Sequence, residues 1–135
     1  MSRHALVVDD DPAVVSLIEL ALGLRGVSAT ALTNPELVLE TARTLRPDVI
    51  VLDVMMPGLS GLELAARLRE DEEVGETPLI ILTCLSGPED VWSGWQAGID
   101  SYLTKPIDPD LLVMEIHRVV DATTDAGVDA DAEAR

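Results

Sequence analysis

Three acids stand in a row at Asp9-Asp10-Asp11, a fourth carboxylate sits at Asp53, a hydroxyl at Thr83, and the only lysine of the chain is Lys105. Brought together, these groups could handle a phosphoryl group. Crowded carboxylates repel, so either one is protonated or a cation joins them. Hard divalent cations prefer oxygen ligands, and Mg²⁺ typically takes one or two carboxylates while keeping waters. A carboxylate beside such a cation can attack phosphorus and form an aspartyl phosphate, with the metal neutralising charge on the transferring oxygens. The Thr83 hydroxyl could donate to one phosphoryl oxygen and the Lys105 ammonium could pair with another.

Each group taken alone also has a plainer reading. The acidic run suits a helix N-terminus, where the dipole favours negative charge, and Asp11 reads as the cap itself. Asp9 and Asp10 end a buried strand, which capping does not explain. Asp53 in isolation fits a turn, Thr83 fits an ordinary β-branched strand residue, and Lys105 fits a solvated loop. Lys105-Pro106 is a candidate cis peptide that would aim the lysine inward, although trans is the default for such bonds.

Whether the groups meet depends on the elements that carry them. Ala5–Val8, Val49–Leu52 and Leu79–Leu82 are short apolar runs, with weaker ones at Val27–Leu32 and Ser101–Leu103. Continuous apolar strands point to a parallel sheet covered on both faces. Helix starts are marked by Asp11-Pro12, Asn34-Pro35 and Asp108-Pro109, each a capping side chain followed by proline at the first helical position. The first helix is expected from Pro12 to about Arg25, with Val14, Leu17, Ile18, Ala21 and Leu22 on one face and Gly26 as stop. Others are expected over 35–45, after Gly61, over 88–97 with Gly98 as C-terminal cap, and from Pro109 to about Val120. The order is strand then helix five times, which right-handed crossovers turn into an open, doubly wound α/β sheet. Sites in such sheets form at the carboxyl ends of strands, where Asp9, Asp10, Asp53, Thr83 and Lys105 all fall.

In this arrangement the sequence resembles the CheY-like receiver domains of two-component response regulators. The likeness covers about residues 4–120 and is carried by ALVVDDDP, VIVLDVMMPGLSG, LIILT and AGIDSYLTKP, in order, with Thr83 and Lys105 at the family's offsets from Asp53. It implies a flavodoxin-like (βα)5 three-layer sandwich with a parallel five-stranded sheet of order 2-1-3-4-5. It also implies roles. Asp53 would be the phosphoacceptor, taking its phosphoryl group from a phosphohistidine on a histidine kinase or histidine phosphotransfer protein. Asp9, Asp10, Asp53 and the Met55 backbone carbonyl would hold Mg²⁺, or Mn²⁺ in its place. Thr83 would be the switch hydroxyl, Lys105 the phosphate partner and Tyr102 the switch aromatic. The changed face would be that of the 88–97 helix, the last strand and the last helix, offered to a downstream protein, a fused output domain or a second copy. Such a domain phosphorylates and dephosphorylates itself and is not a turnover enzyme. Trp92 and Trp95 lie three apart on the 88–97 helix; the pair either packs on the sheet or leaves Trp95 outside, with Val91 or Ile99, as a partner anchor. Met55 and Leu85 stand two residues after Asp53 and Thr83, and neither apolar side chain can orient an attacking water, so a long-lived phosphoryl group is expected. His4 and His117 have no part in this chemistry.

Composition agrees. The chain has 135 residues, enough for one ordinary domain, and 9 basic against 25 acidic residues give a formal net charge of −16. That charge argues against direct nucleic-acid binding. A 47% hydrophobic content supports a packed core. Apolar runs are far below membrane-spanning length, Asp9 comes too early for a signal peptide, and the single cysteine, Cys84, excludes an internal disulfide and suits a reducing compartment. The expectation is a cytoplasmic receiver over 1–122, with 123–135 as a flexible Ala/Asp-rich tail or the start of a linker. A phosphorylation-independent interaction module of the same fold is the alternative. A dehalogenase-type phosphatase would need a second Asp where Met55 stands, and nucleotide-binding folds would need a glycine-rich loop where the acidic run stands.

Overall fold

A computed structural model describes residues 3–53, 61–83 and 98–133, with backbone alone at 61, 62, 83 and 123–133. Strands β1 (Arg3–Val8), β2 (Val27–Leu32), β3 (Val49–Asp53), β4 (Leu79–Thr83) and β5 (Ser101–Thr104) form one parallel sheet of order β2-β1-β3-β4-β5. Helices α1 (Pro12–Gly23), α2 (Val38–Leu45), α3 (Gly61–Glu70) and α4 (Pro109–Glu133) cover it, and a 3₁₀ turn at Pro35–Leu37 leads into α2. This is the expected doubly wound α/β architecture. The expected 88–97 helix lies outside the described residues.

Ala5–Val8 of β1, Val49–Leu52 of β3 and Leu79–Leu82 of β4 are continuously apolar because alternate side chains enter two cores. Leu6, Ile50, Leu52 and Ile81 pack with Val38, Leu64 and Leu68 beneath α2 and α3. Val7, Val51, Ile80 and Leu82 pack with Ile18, Leu22, Leu112 and Ile116 beneath α1 and α4. Helix starts follow the capping logic: Asp11 and Asn34 accept from the backbone N–H groups of Ala13 (2.9 Å) and Glu36 (3.0 Å), each with proline next in sequence.

One expectation needs narrowing and another correction. Val14, Leu17, Ile18, Ala21 and Leu22 do share one face of α1, lining a cavity with Ile107 and Leu112. Val15, Ile18 and Leu22 form the buried stripe of α1, whereas Leu17 is 68% exposed and is joined outside by Leu20 and Leu24. The helix is apolar nearly all round, so its pattern alone does not choose the inner face. The last helix also does not end near Val120: α4 runs on to Glu133. Alanine recurs at 122, 126, 130 and 132, and this best of helix formers favours continuing the helix.

Candidate functional site

At the carboxyl edge of the sheet, β1 ends beside Asp9 and Asp10, and β3 ends at Asp53 between them and β4. The turn into α1 shapes the first pair. The Asp11 backbone N–H donates to Asp9 Oδ1 at 3.0 Å, and the Asp9 N–H donates to the Leu32 carbonyl at 3.2 Å. Asp9 and Asp53 are buried and Asp10 is exposed. Carboxylate oxygens of all three lie within 4.8 Å of one another.

One ammonium serves this acidic group. Lys105 follows β5 directly, its bond to Pro106 is cis, and its Nζ donates to Asp53 Oδ2 at 3.2 Å and to Asp9 Oδ2 at 3.3 Å. Three carboxylates against one lysine leave an excess of negative charge. A donor set made wholly of oxygen, with one member open to solvent, fits a hard divalent cation that keeps some of its waters. Asp9, Asp10 and Asp53 could hold it.

Burial works against the charged form of Lys105, but the charges of Asp53 and Asp9 and their hydrogen bonds outweigh it and raise the pKa above lysine's usual 10.5. A raised folded-state pKa favours folding fully below the ordinary value, and that contribution is lost as pH climbs through the raised one. The stability difference between wild type and Lys105→Met should therefore stay constant from neutral pH to about 10 and then shrink under stronger alkali. Denaturant titrations across that range check it, and a difference that grows with alkali would refute the pairing.

Asp9, Asp10, Asp53 and Lys105 are thus brought together as the sequence suggested. The backbone of Thr83 ends β4, paired with Thr104 and one residue beyond the partner of Asp53. Tyr102 is half-buried against the core under α2 and α3. Met55, Leu85, Val91, Trp92 and Trp95 lie outside the described residues. Ile99, expected on a partner-facing surface, is instead 4% exposed and part of that same core, so it offers no side chain to a partner. Sequence reasoning missed Arg69 and Asp100, which tie the far ends of α3, β4 and β5 together (Arg69 Nη2 to Asp100 Oδ2, 2.6 Å). Among the described residues, no helix is long and apolar enough to cross a membrane.

Comparison with known proteins gives the same picture. The response regulator receiver domain family matches residues 5–117. The transcriptional regulatory protein CseB of Streptomyces coelicolor is 40% identical over 117 residues, which are 87% of this chain and 49% of that protein. The chain thus spans about half the length of the curated relatives it matches most strongly. The Francisella response regulator 1452 receiver domain superimposes with a TM-score of 0.82 at 34% identity, covering 90% of this chain and 98% of that one. A BeF3-activated DrrB receiver domain does so with a TM-score of 0.78 at 33% identity, over 90% and 99%. Fold, acidic edge and relatives agree: the chain belongs to the response regulator receiver domain family of two-component signalling systems.

Proposed function

We propose that Asp53 accepts a phosphoryl group in a Mg²⁺-dependent reaction and that the modified chain signals to an output. The observation that carries this is the convergence of three carboxylates and the Lys105 ammonium on one sheet edge. Asp9, Asp10, Asp53 and the Met55 carbonyl would hold the cation, which when bound neutralises charge on the transferring oxygens. The donor would be a phosphohistidine on a histidine kinase or histidine phosphotransfer protein in the cytoplasm. An Asp53 oxygen forms the new P–O bond as the donor's P–N bond breaks, and the electron pair leaves with the imidazole. Lys105 turns from Asp53 toward the incoming phosphoryl oxygens, so one ammonium serves both the resting and the modified site.

The added charge and acceptor oxygens would draw the Thr83 hydroxyl inward, and Tyr102 would follow. The face of the 88–97 segment, β5 and α4 then shifts between two populations. The receiver would occupy 1–122, with 123–135 leading toward an output carried on a further segment or another protein, or toward a second copy. The basic test is incubation with Mg²⁺ and a small acyl phosphate. A mass gain of one phosphoryl group supports the reading; no gain with the folded protein refutes it.

The apolar Met55 and Leu85 offer nothing to position an attacking water, so the phosphoryl group should outlast minutes in Mg²⁺ buffer. Decay followed by intact mass checks this, and complete loss within seconds would contradict it. Met55→Glu should shorten the lifetime.

A further inference from the structure

β5 is four residues long and lies at the edge of the sheet, so among the described residues β4 is its only partner strand. It pairs parallel to β4, so no tight hairpin turn sets its register. Register matters here: a slip of one residue turns every side chain to the opposite face and moves the strand about 3.3 Å. The observed pairing runs from Ile80 with Ser101 to Thr83 with Thr104. It leaves Lys105 one residue past the last pair, within reach of Asp9 and Asp53.

The pairing is clasped at the end of β5 far from the phosphoacceptor. The Asp100 N–H donates to the Leu79 carbonyl at 2.9 Å, and the Leu79 N–H donates back to Asp100 Oδ2 at 2.8 Å. The same oxygen accepts from Arg69 Nη2 at 2.6 Å. Arg69, near the end of α3, also donates from Nε to the Gly98 carbonyl (2.6 Å) and from Nη1 to the carbonyls of Gly75 (2.9 Å) and Thr77 (2.6 Å). One planar fork thus joins the turn before β4 to the turn before β5, a geometry an ammonium does not reproduce. Gly98 permits the approach: its φ is +83°, and a Cβ there would meet Arg69 Cγ at 3.1 Å.

We propose that Arg69 is a positioning residue for phosphoryl transfer, acting through Asp100 to fix the β5 register that delivers Lys105 to Asp53. This rests on the function proposed above. The three carboxylates stand at the ends of β1 and β3, so displacing β5 leaves them in place and withdraws the Lys105 ammonium from two of them; cation binding should not weaken, and the two properties separate.

The test uses the full chain with Mg²⁺ alone and with Mg²⁺ plus a small acyl phosphate, at a temperature where circular dichroism shows each variant folded. In Arg69→Met the rate of phosphoryl uptake should fall at least tenfold, toward the roughly hundredfold that a 1 Å misplacement can cost, while Mg²⁺ affinity does not fall. Asp100→Asn keeps the accepting oxygen and should retain most of the rate; Arg69→Lys should fall between. Arg43→Gln removes a different arginine pair, with Asp71 of the α3–β4 loop, and should lower stability without changing the rate. Backbone NOEs between β4 and β5 read the register directly, whether or not any phosphoryl group is taken up. Wild-type register in Arg69→Met, or equal losses of rate and Mg²⁺ affinity, would overturn the proposal. A wild type with the observed register that accepts no phosphoryl group would overturn the proposed function instead.

Discussion

Asp53→Asn should gain no phosphoryl mass under conditions in which the wild type is fully modified. The substitution keeps the size of the side chain and one acceptor oxygen, but an amide cannot serve as the nucleophile. The neighbouring carboxylates do not take over. Asp9 is buried with one oxygen on the Asp11 N–H and the other on Lys105, and Asp11 is committed to capping α1. Lys105 is left paired with one carboxylate instead of two, so the variant should remain folded while losing the acceptor. Intact mass after incubation with Mg²⁺ and acyl phosphate decides the matter. Full modification of the variant would move the acceptor elsewhere and undo the assignment.

The second large effect concerns the cation. With three carboxylates against one ammonium, the metal-free site is internally repulsive. Mg²⁺ that binds only the folded chain should stabilise it by about 2.7 kcal/mol at a hundredfold excess over its Kd. Asp10→Asn removes the exposed member of the group. In chelator the variant should be at least as stable as wild type, because repulsion is relieved. In saturating Mg²⁺ the order should reverse, because the variant has lost a ligand. Paired urea titrations with and without Mg²⁺ give the result. An equal Mg²⁺ response in both proteins would show that Asp10 is not a ligand.

The three central strands were legible because each is buried on both faces, which writes an uninterrupted apolar run such as Val49–Leu52 into the sequence, whereas the half-buried edge strands β2 and β5 leave weaker marks. The acidic edge was legible for a related reason: in a parallel sheet the strand ends converge, so residues far apart in the chain but each just past an apolar run must meet. Elsewhere the local pattern did not decide. α1 is apolar on nearly every side, so the pattern groups Leu17 with Ile18 and Leu22 without showing that Leu17 is exposed. Ile99 looked like part of a Trp-bearing surface, yet it lies just before β5 and turns into the sheet's core. The extension of α4 has Val128 as its one large apolar residue, among alanines, acids, two threonines and a glycine, and helix propensity leaves a weaker mark than packing does. Arg69 is marked by no sequence pattern, and Asp100 stands out only as part of AGIDSYLTKP. Their meaning lies in a contact between distant segments, which no periodicity encodes.

The solitary lysine has a practical consequence. Apart from the amino terminus, the chain presents a single primary amine, and that amine is held between Asp9 and Asp53 with its side chain 30% exposed. An amine-directed acylating reagent thus has one internal target, located at the acidic edge of the sheet. Its labelling rate becomes a built-in reporter of the pocket: slow while the amine is gripped, faster when the grip is released, and readable by mass without any added fluorophore or engineered tag.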